Sequence, residues 1–410
     1  MQEIRGRMSQ TWQHNIKYNN YHGVAQSLAD NTFKPFLGIF ALALGASNFE
    51  VAMLNSLPAV ISVFAMLPGT KMINRSANTK RLTAILFFAY RTFFLVIAGV
   101  PFLPQPLRSV SLVIAVGLMN LPAAVGTVAW QSLIGKLIPS DLRSKAFAQR
   151  NKLTGVVGLI PTLVTGFLLD YLPSPLGYQI MFAVAFIFAL AEIYLLLQLV
   201  DVDGEEQHSS TSEKDVCSLR DIVNEKIFFR YMASSLVFYF GWQMAWPLFT
   251  LYQVKNLGAN NTWIGFFSAI ITLVSILSYH WWGKYAGDKG NYKALVLATF
   301  GMALTPILTA LSPNLWVLAA TNLIAGFFTA GTVLILFNAM LDTAPDCIRT
   351  SCVAYYNTMI NVSATIAPFV GSLIMDISNI YVALVVSALL RGLGCVAFYI
   401  AQRRQELDVQ

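Results

Sequence analysis

The sequence is poor in the residues on which most soluble, disulfide-rich or metal-dependent proteins rely. Only 11% of its 410 residues are charged, against about a quarter in an average soluble domain. Four cysteines exclude a disulfide-stapled secreted fold. Four histidines are fewer than most zinc or histidine-based catalytic sites would suggest. Hydrophobic residues make up 56% of the whole chain, and its mean hydropathy is +0.60. Both values indicate a polytopic membrane protein.

Sequence motifs for enzymatic chemistry are also missing. The chain has no Gly-x-Ser-x-Gly, no His-Glu-x-x-His and no phosphate-binding Gly-x-x-x-x-Gly-Lys-Ser/Thr motif. We therefore expect no enzyme, no cofactor, no metal and no ATP-driven pump within this chain. A membrane-embedded enzyme and a transporter-like sensor remain as remote alternatives.

Twelve apolar segments are long enough to cross a bilayer, for which an α-helix needs about 20 residues. Polar or Gly/Pro-rich connectors separate them, and the first segment is the weakest because Asp30 and Lys34 interrupt it. The sequence therefore predicts an all-α membrane protein with spans at 21–46, 50–70, 82–102, 109–134, 153–172, 178–200, 229–253, 263–283, 294–312, 315–338, 353–375 and 379–401.

The net charge of +7 is distributed in short clusters between these segments. This is typical of cytoplasmic loops rather than of a nucleic-acid-binding surface, so we expect no nucleic-acid partner. Connectors rich in lysine and arginine alternate with connectors that are poor in them. Because cytoplasmic loops carry an excess of these residues, the alternation predicts that both termini are cytoplasmic. The polar N-terminus has no apolar core, so we expect no cleavable signal peptide. These features predict a multi-pass plasma membrane protein (bacterial inner membrane).

The chain has an internal repeat. A polar stretch at 201–228 separates two sets of six spans and predicts a cytoplasmic linker between an N-terminal bundle at 1–200 and a C-terminal bundle at 229–410. Short matches occur in the same order in both halves. They are 44–48 (LGASN) with 257–261 (LGANN), Pro35 with Pro247, Gly69 and Asn74-Arg75 with Gly283 and Asp288-Lys289, Pro139 and Arg143 with Pro345 and Arg349, and Asp170 with Asp376.

With twelve spans, a middle linker and a repeated loop motif, the chain resembles the major facilitator superfamily. The resemblance implies two six-helix bundles related by a pseudo-two-fold axis along the membrane normal. The family's loop signature is a glycine, three residues, an aspartate and a basic residue. Both copies here have one extra residue, and the first has Asn74 in place of the acid.

The repeated loop residues are candidates for a cytoplasmic gate. A basic residue at a helix end can pair with a carboxylate or with a helix C-terminus, and a glycine lets two helices approach closely. In the alternative interpretation the cations only set the topology. The candidate gate residues are Gly69, Arg75, Arg143, Gly283, Asp288, Lys289 and Arg349.

Ionisable residues within the spans are functional candidates because a charge inside a bilayer is costly. Asp30 and Lys34 are i,i+4 neighbours that can neutralise each other, and Arg91 lies at a similar depth in the third span. Asp30 could couple transport to protons, with Lys34 or Arg91 as its partner, or the Asp30–Lys34 pair could be a permanent brace. Glu192 and Arg391 lie on spans that are peripheral in the resembled family, so we expect them to be structural.

The resemblance also implies a central cavity lined by spans one, four, seven and ten. On the seventh span, Tyr239, Trp242 and Gln243 lie on adjoining turns of one face and could hold an amphipathic or ring-shaped solute. In the alternative, such aromatic residues are core or interfacial residues. The full set of candidates for substrate binding or coupling is Gln26, Asp30, Asn31, Lys34, Arg91, Asn120, Tyr239, Trp242, Gln243 and Asn322.

Together these features predict a secondary transporter that moves a small organic solute by alternating access, coupled to protons, with efflux by antiport as the first expectation. A facilitative uniporter and a nutrient symporter are the alternatives. We expect the substrate, membrane lipid and the proton as partners, and a monomer can suffice for this architecture.

Overall fold

The computed structural model describes residues 2–200, 225–345 and 349–409, and most of the predicted linker lies outside these ranges. The described residues are almost entirely helical. The α-helices are α1 Gln2–Phe33, α2 Leu37–Ala43, α3 Asn48–Asn74, α4 Thr79–Gly99, α5 Gln105–Leu137, α6 Ser140–Tyr171, α7 Leu176–Leu197, α8 Lys226–Leu251, α9 Asn261–Lys289, α10 Asn291–Ala310, α11 Leu315–Thr343, α12 Arg349–Ile377 and α13 Ile380–Val409.

Ten of these helices, α3 to α7 and α9 to α13, are long and apolar enough to cross a membrane. The remaining two predicted spans fall on α1, with its continuation α2, and on α8. The first, α1, is polar over most of its length and includes Asn31, and α8 carries Gln243 together with several Trp and Tyr residues. The first helix extends well beyond the predicted span at 21–46, because α1 begins at Gln2.

The first span is broken where its proline lies. Pro35 has no N–H group to donate to the carbonyl four residues earlier, and Lys34–Phe36 form a single 3₁₀ turn between α1 and α2. The carbonyl that Pro35 leaves without its helical donor is that of Asn31, and it accepts a hydrogen bond from Thr162 Oγ1 of α6 at 3.3 Å. The break therefore lies directly after the Asp30 turn of α1.

The backbone supports the repeat found in the sequence. The two matching LGA turns each have a glycine in the left-handed region, Gly45 with φ of +90° and Gly258 with φ of +66°, a conformation that side chains with a Cβ rarely adopt. A hydrogen-bonded turn closes each helix, from Ala46 N to Ala41 O and from Ala259 N to Gln253 O. The second turn follows a short π-helix at Tyr252–Asn256.

The contacts divide the chain into two compact units. One comprises Met1–Ala46 with Val60–Ser209, and the other Ser47–Ala59 with Ser210–Gln410. The first part of α3 thus groups with the second unit, in which Asn48 Nδ2 donates to Asp376 Oδ1 at 2.6 Å. The predicted bundles at 1–200 and 229–410 stay a prediction.

Four helix pairings recur in both units. In the first unit α1 packs on α6 and α7, and α4 packs on α5 and α7. In the second unit α8 packs on α12 and α13, and α10 packs on α11 and α13. The corresponding helices occupy the same places in the two sequence repeats, so the duplication is visible in tertiary packing as well as in motifs.

Candidate functional site

A cluster of charged side chains lies inside the first unit, where α1, α4 and α7 meet. Asp30 comes from the last turn of α1, Lys34 from the 3₁₀ turn that follows, Arg91 from α4 and Glu192 from α7. Because α7 packs on both α1 and α4, residues far apart in the sequence reach one another across this junction.

Arg91 joins the two carboxylates. Its Nη1 atom donates to Asp30 Oδ1 at 2.6 Å, and its Nη2 atom lies 2.8 Å from Glu192 Oε2. Lys34 Nζ donates to the second oxygen of Asp30 at 2.8 Å. The guanidinium also lies over the ring of Tyr90, 4.4 Å from its centroid. The Asp30 carboxylate is thus shared between two cations.

Burial changes sharply along this cluster. The side chains of Glu192 and Arg91 are 0% and 1% exposed, that of Asp30 is 18% exposed and that of Lys34 is 54% exposed. Two carboxylates and two cations balance in charge, which a buried ionic group requires. One end of the cluster is therefore closed inside the helices, and the other opens to the surface of its unit.

A second group of polar side chains adjoins the buried end. Arg150 of α6 donates from Nη2 to Gln26 Oε1 at 2.5 Å and lies over the ring of Trp130, 4.4 Å from its centroid. Nε2 of His22 lies 3.7 Å from Glu192 Oε1. Gln26 thus contacts a cation of the protein itself, one turn of α1 from Asp30.

Sequence reasoning identified Asp30, Lys34 and Arg91 and missed Glu192, His22 and Arg150 as their neighbours. Glu192 is fully buried and binds Arg91, and the structural role expected for it stays a prediction. The signal for Glu192 was present, since it is an acid within the otherwise apolar helix α7. His22 could have been found from its spacing, because it lies eight residues before Asp30 on the same helix face.

The two asparagines predicted in the first unit contact their own helices. Asn31 Nδ2 donates to Ser27 O at 2.9 Å, and a Cβ placed on Gly158 of α6 would lie 2.6 Å from this nitrogen. Asn120 Nδ2 donates to Val116 O at 3.2 Å. Asn31 thus packs at the close approach of α1 and α6, and the structure does not bring Asn120 to the charge cluster.

The second unit contains an aromatic group on α8. The rings of Tyr239 and Trp242 stack with centroids 5.7 Å apart, and Tyr356 of α12 meets Tyr239 edge-on at 6.2 Å. Gln243 lies apart from this stack, because it is buried and donates from Nε2 to Ile360 O at 3.2 Å. Half-buried Tyr239 and Trp242 are therefore the members of the predicted set that present an aromatic surface.

Asn322 and Arg391 are buried in the second unit. No described residue accepts a hydrogen bond from Asn322 Nδ2. Arg391 donates to neutral acceptors, including Met302 O at 2.9 Å, Thr305 Oγ1 at 2.8 Å and Gly241 O at 3.3 Å. The Met302 carbonyl is the one that Pro306 deprives of its helical donor. The structural role expected for Arg391 stays a prediction.

The predicted gate residues differ in their surroundings. A Cβ on Gly69 would lie 2.5 Å from Val125 of α5, whereas one on Gly283 would meet no described atom within 4 Å. Arg143 Nη2 donates to Gly135 O at 2.7 Å and to Ile138 O at 3.3 Å, at the C-terminal end of α5. Close approach at a glycine is thus found in the first copy of the motif and not in the second.

The remaining gate candidates lie at helix ends. Arg75 follows the last residue of α3 and lines a cavity of 570 Å³ with Pro68, Lys71 and Leu82. Asp288 and Lys289 are exposed in the last turn of α9. Arg349 begins α12, but its side chain lies outside the described residues. Their gating role stays a prediction.

Comparison with known proteins identifies the fold and the family. The nucleoside transporter NupG has a TM-score of 0.74 at 11% identity, covering 94% of this chain and 98% of NupG. A bacterial homologue of the iron transporter ferroportin in an inward-facing state has a TM-score of 0.71 at 14% identity, covering 94% of this chain and 98% of its own. At such identities the likeness concerns the fold alone.

A sequence relative is the tetracycline resistance protein, class H, of Pasteurella multocida. It is 32% identical over 96 residues, which are 23% of this chain and 24% of that protein, so the match spans about a quarter of the relative's length. The family model described as Major Facilitator Superfamily matches residues 23–289 and 231–410, which together cover most of the chain. The chain therefore belongs to the major facilitator superfamily, and it is a membrane-spanning transporter by family and by fold.

Proposed function

We propose that this protein is a proton-coupled secondary transporter that moves a small organic solute by alternating access, with efflux by antiport as the first expectation. The observation that carries the proposal is the Asp30 carboxylate, which is partly exposed and is bound by both Arg91 and Lys34. An ionisable group within a transporter span is energetically costly, so its presence there indicates a function.

The coupling step follows from charge balance. Protonation of Asp30 removes one negative charge from a balanced set of four, and Arg91 and Lys34 lose the acceptor that they share. A ligand or a proton biases a conformational equilibrium only through a difference in its interactions with the two states. Freed from Asp30, the exposed Lys34 ammonium can bind a substrate group or solvent, so the proton and the substrate compete for the same cations.

The position of the cluster on α1 suits a moving part. Asp30 lies in the last turn before the 3₁₀ segment at Lys34–Phe36, where Pro35 interrupts the helical hydrogen bonds. Discontinuous helices next to ion sites are a recurrent arrangement in secondary transporters. The first span can bend at this segment with little loss of hydrogen bonding, because its helical bonds are already interrupted there. Breaking the Asp30–Lys34 bond would therefore change the conformation of α1 at its most flexible point.

We also propose the topology that the sequence predicts. Twelve spans form two six-helix bundles in the plasma membrane, with both termini and the linker at 201–228 in the cytoplasm. Ten apolar helices, the broken first helix and α8 supply twelve helices of sufficient length. In this orientation Arg75, Arg143, Asp288, Lys289 and Arg349 lie on the cytoplasmic side, where they would gate the substrate path.

The substrate class is inferred from the second unit. Tyr239 and Trp242 offer a stacked aromatic surface with partial exposure, which suits a ring-shaped or amphipathic solute. Tetracycline and nucleosides, which appear in the names of the related proteins, are both ring-shaped and make reasonable first probes. A uniporter or a nutrient symporter of the same fold is the second candidate.

The test is solute movement in proteoliposomes. Radiolabelled tetracycline and uridine are loaded as separate probes, and a proton gradient of either sign is imposed across the vesicles. We expect accumulation against the solute gradient when protons flow the opposite way, and none in Asp30→Asn vesicles. Equilibration without accumulation, equal in both proteins, would identify a uniporter and reject the coupling proposal.

A further inference from the structure

A line of buried and half-buried polar side chains continues along α1 beyond the charge cluster. Asn15, Asn19, His22 and Gln26 precede Asp30 at intervals of three or four residues, so they share one face of the helix. At 1.5 Å per residue this face extends over about 22 Å. The proposed coupling through Asp30 assigns no function to its N-terminal part.

His22 is enclosed at the middle of this face. Its side chain is 1% exposed, and its ring stacks with Phe87 and Trp130, with each centroid 6.0 Å away. Neither ring nitrogen has a hydrogen-bond partner among the described residues, and neither does either amide atom of Asn19, one turn earlier. Buried polar atoms in this position are usually satisfied by ordered water.

The charged groups facing His22 and Glu192 come from three helices. They are Arg91 of α4, Arg150 of α6 and, for Glu192, Asp30 of α1. Glu192 and Asp30 bind different nitrogens of the one Arg91 guanidinium. When one carboxylate is protonated, its ion pair with Arg91 weakens, and Arg91 interacts mainly with the other carboxylate. The two proton sites are therefore coupled through Arg91, although they do not contact each other.

We propose that Glu192 is a second proton-binding carboxylate of this transporter and that His22 relays protons to it from the N-terminal end of α1. The inference rests on the proposed proton coupling and extends it to a route. In one transfer, His22 Nε2 and Glu192 Oε1 close from 3.7 Å to hydrogen-bond distance, the Nε2–H bond of His22 breaks and an O–H bond forms on Glu192. Nδ1 accepts a proton from a hydronium ion near Asn19, which becomes water. The imidazole stays neutral and changes from the Nε2–H to the Nδ1–H tautomer, and tautomer exchange of the ring resets it.

The test measures carboxyl protonation directly and needs no substrate. Purified protein in liposomes receives a rapid drop in pH, and time-resolved infrared spectroscopy follows the C=O stretch of protonated carboxylic acids. Glu192→Gln and Asp30→Asn assign the two bands by their loss. We expect the Glu192 band to appear at least about tenfold more slowly in His22→Gln, since positioned proton transfer groups contribute factors of this size or more.

A matched control lies on the same helix. His14 is stacked on Tyr18, its Nε2 bonds to Gln198 O at 3.1 Å, and it lies outside the relay, so His14→Gln should leave both rates unchanged. External imidazole should restore the rate in His22→Ala, which separates a lost relay from a damaged fold.

The outcomes for the relay and for the proposed function differ. Equal Glu192 band rates in wild type and His22→Gln, or no Glu192 band at all, would overturn the relay and leave coupling through Asp30 intact. Absence of an Asp30 band would reject the proposed coupling whatever the Glu192 band does.

Discussion

Arg91 is the residue that holds the charge cluster together, because it binds both of its carboxylates. We predict that Arg91→Gln lowers the free energy of unfolding by about 3–5 kcal/mol, the usual cost of leaving a buried charge unpaired. Adding Glu192→Gln should recover part of this loss, since one orphaned carboxylate is then neutral. The midpoint of thermal unfolding in detergent measures both effects.

Arg108 provides a control for Arg91 because it is only half-buried and bonds to a neutral backbone carbonyl, that of Leu103. Arg108→Gln should shift the unfolding midpoint little. An Arg91→Gln protein as stable as the Arg108→Gln protein would mean that the buried ion pairs contribute nothing to the fold.

Arg391 illustrates a buried charge with a different role. All its hydrogen bonds in the described structure go to neutral oxygen atoms of α8 and α10. We predict that Arg391→Lys destabilises the protein by about 1–3 kcal/mol, because a lysine cannot reach several acceptors at once. Proton release on substrate binding, measured per folded molecule, should stay unchanged, and its loss would indicate a coupling role.

At this scale the sequence predicted the members of the cluster that local spacing or depth reveals. Asp30 and Lys34 are neighbours on one helix, and Arg91 is conspicuous in an apolar span. Glu192 and Arg91 are 101 residues apart, and only the packing of α4 on α7 brings them together. The sequence also predicted Trp242 and Gln243 on one face of α8. In the structure, packing against α12 buries the side-chain amide of Gln243, while Trp242 stays half-buried.

At the scale of helices, the two copies of the loop motif make a natural comparison. Gly69→Ala should lower stability by about 1–3 kcal/mol because the new methyl group would overlap Val125. Gly283→Ala, at the matching place in the second copy, should leave stability unchanged or raise it by up to about 1 kcal/mol through helix propensity. Thermal unfolding of the two variants side by side tests this difference. Equal losses would contradict the described packing of α3 on α5.

Helix ends were predictable where local chemistry fixes them. Asn78, Asn260 and Asn314 cap the starts of α4, α9 and α11 with their side chains, as asparagine does at many helix N-termini. The beginning of α1 was missed because a polar segment carries no hydropathy signal, and its buried contacts on α6 and α7 lie far along the chain.

At the scale of the whole molecule, the repeat predicts the side on which each loop lies. In a background without the four natural cysteines, Ala77→Cys in the loop after α3 should react with a membrane-impermeant maleimide only after cells are permeabilised. Ser174→Cys, in the loop between α6 and α7, should react in intact cells. Both positions are exposed. The reverse pattern would invert the proposed orientation. Equal labelling would contradict the three membrane crossings, by α4, α5 and α6, that the topology places between the two loops.

Ten of the twelve predicted spans coincide with helices long and apolar enough to cross a membrane. These spans and the repeat could be read from the sequence because they depend on local composition and on duplicated turns. The pairing of helices within each unit could not, since it depends on contacts between residues far apart in the chain. The family resemblance stated from the loops is confirmed by the family match over both halves.

The measurement that tests the central claim most directly is proton release on ligand addition. Purified protein in weakly buffered detergent solution receives a ligand that the vesicle assay has identified, and a pH indicator reports the protons released per ligand bound. Wild type is compared with Asp30→Asn, and Asp342→Asn serves as the control at an exposed acid of α11. We expect release in wild type and Asp342→Asn and none in Asp30→Asn. Binding without release in wild type, or undiminished release in Asp30→Asn, would contradict coupling through Asp30.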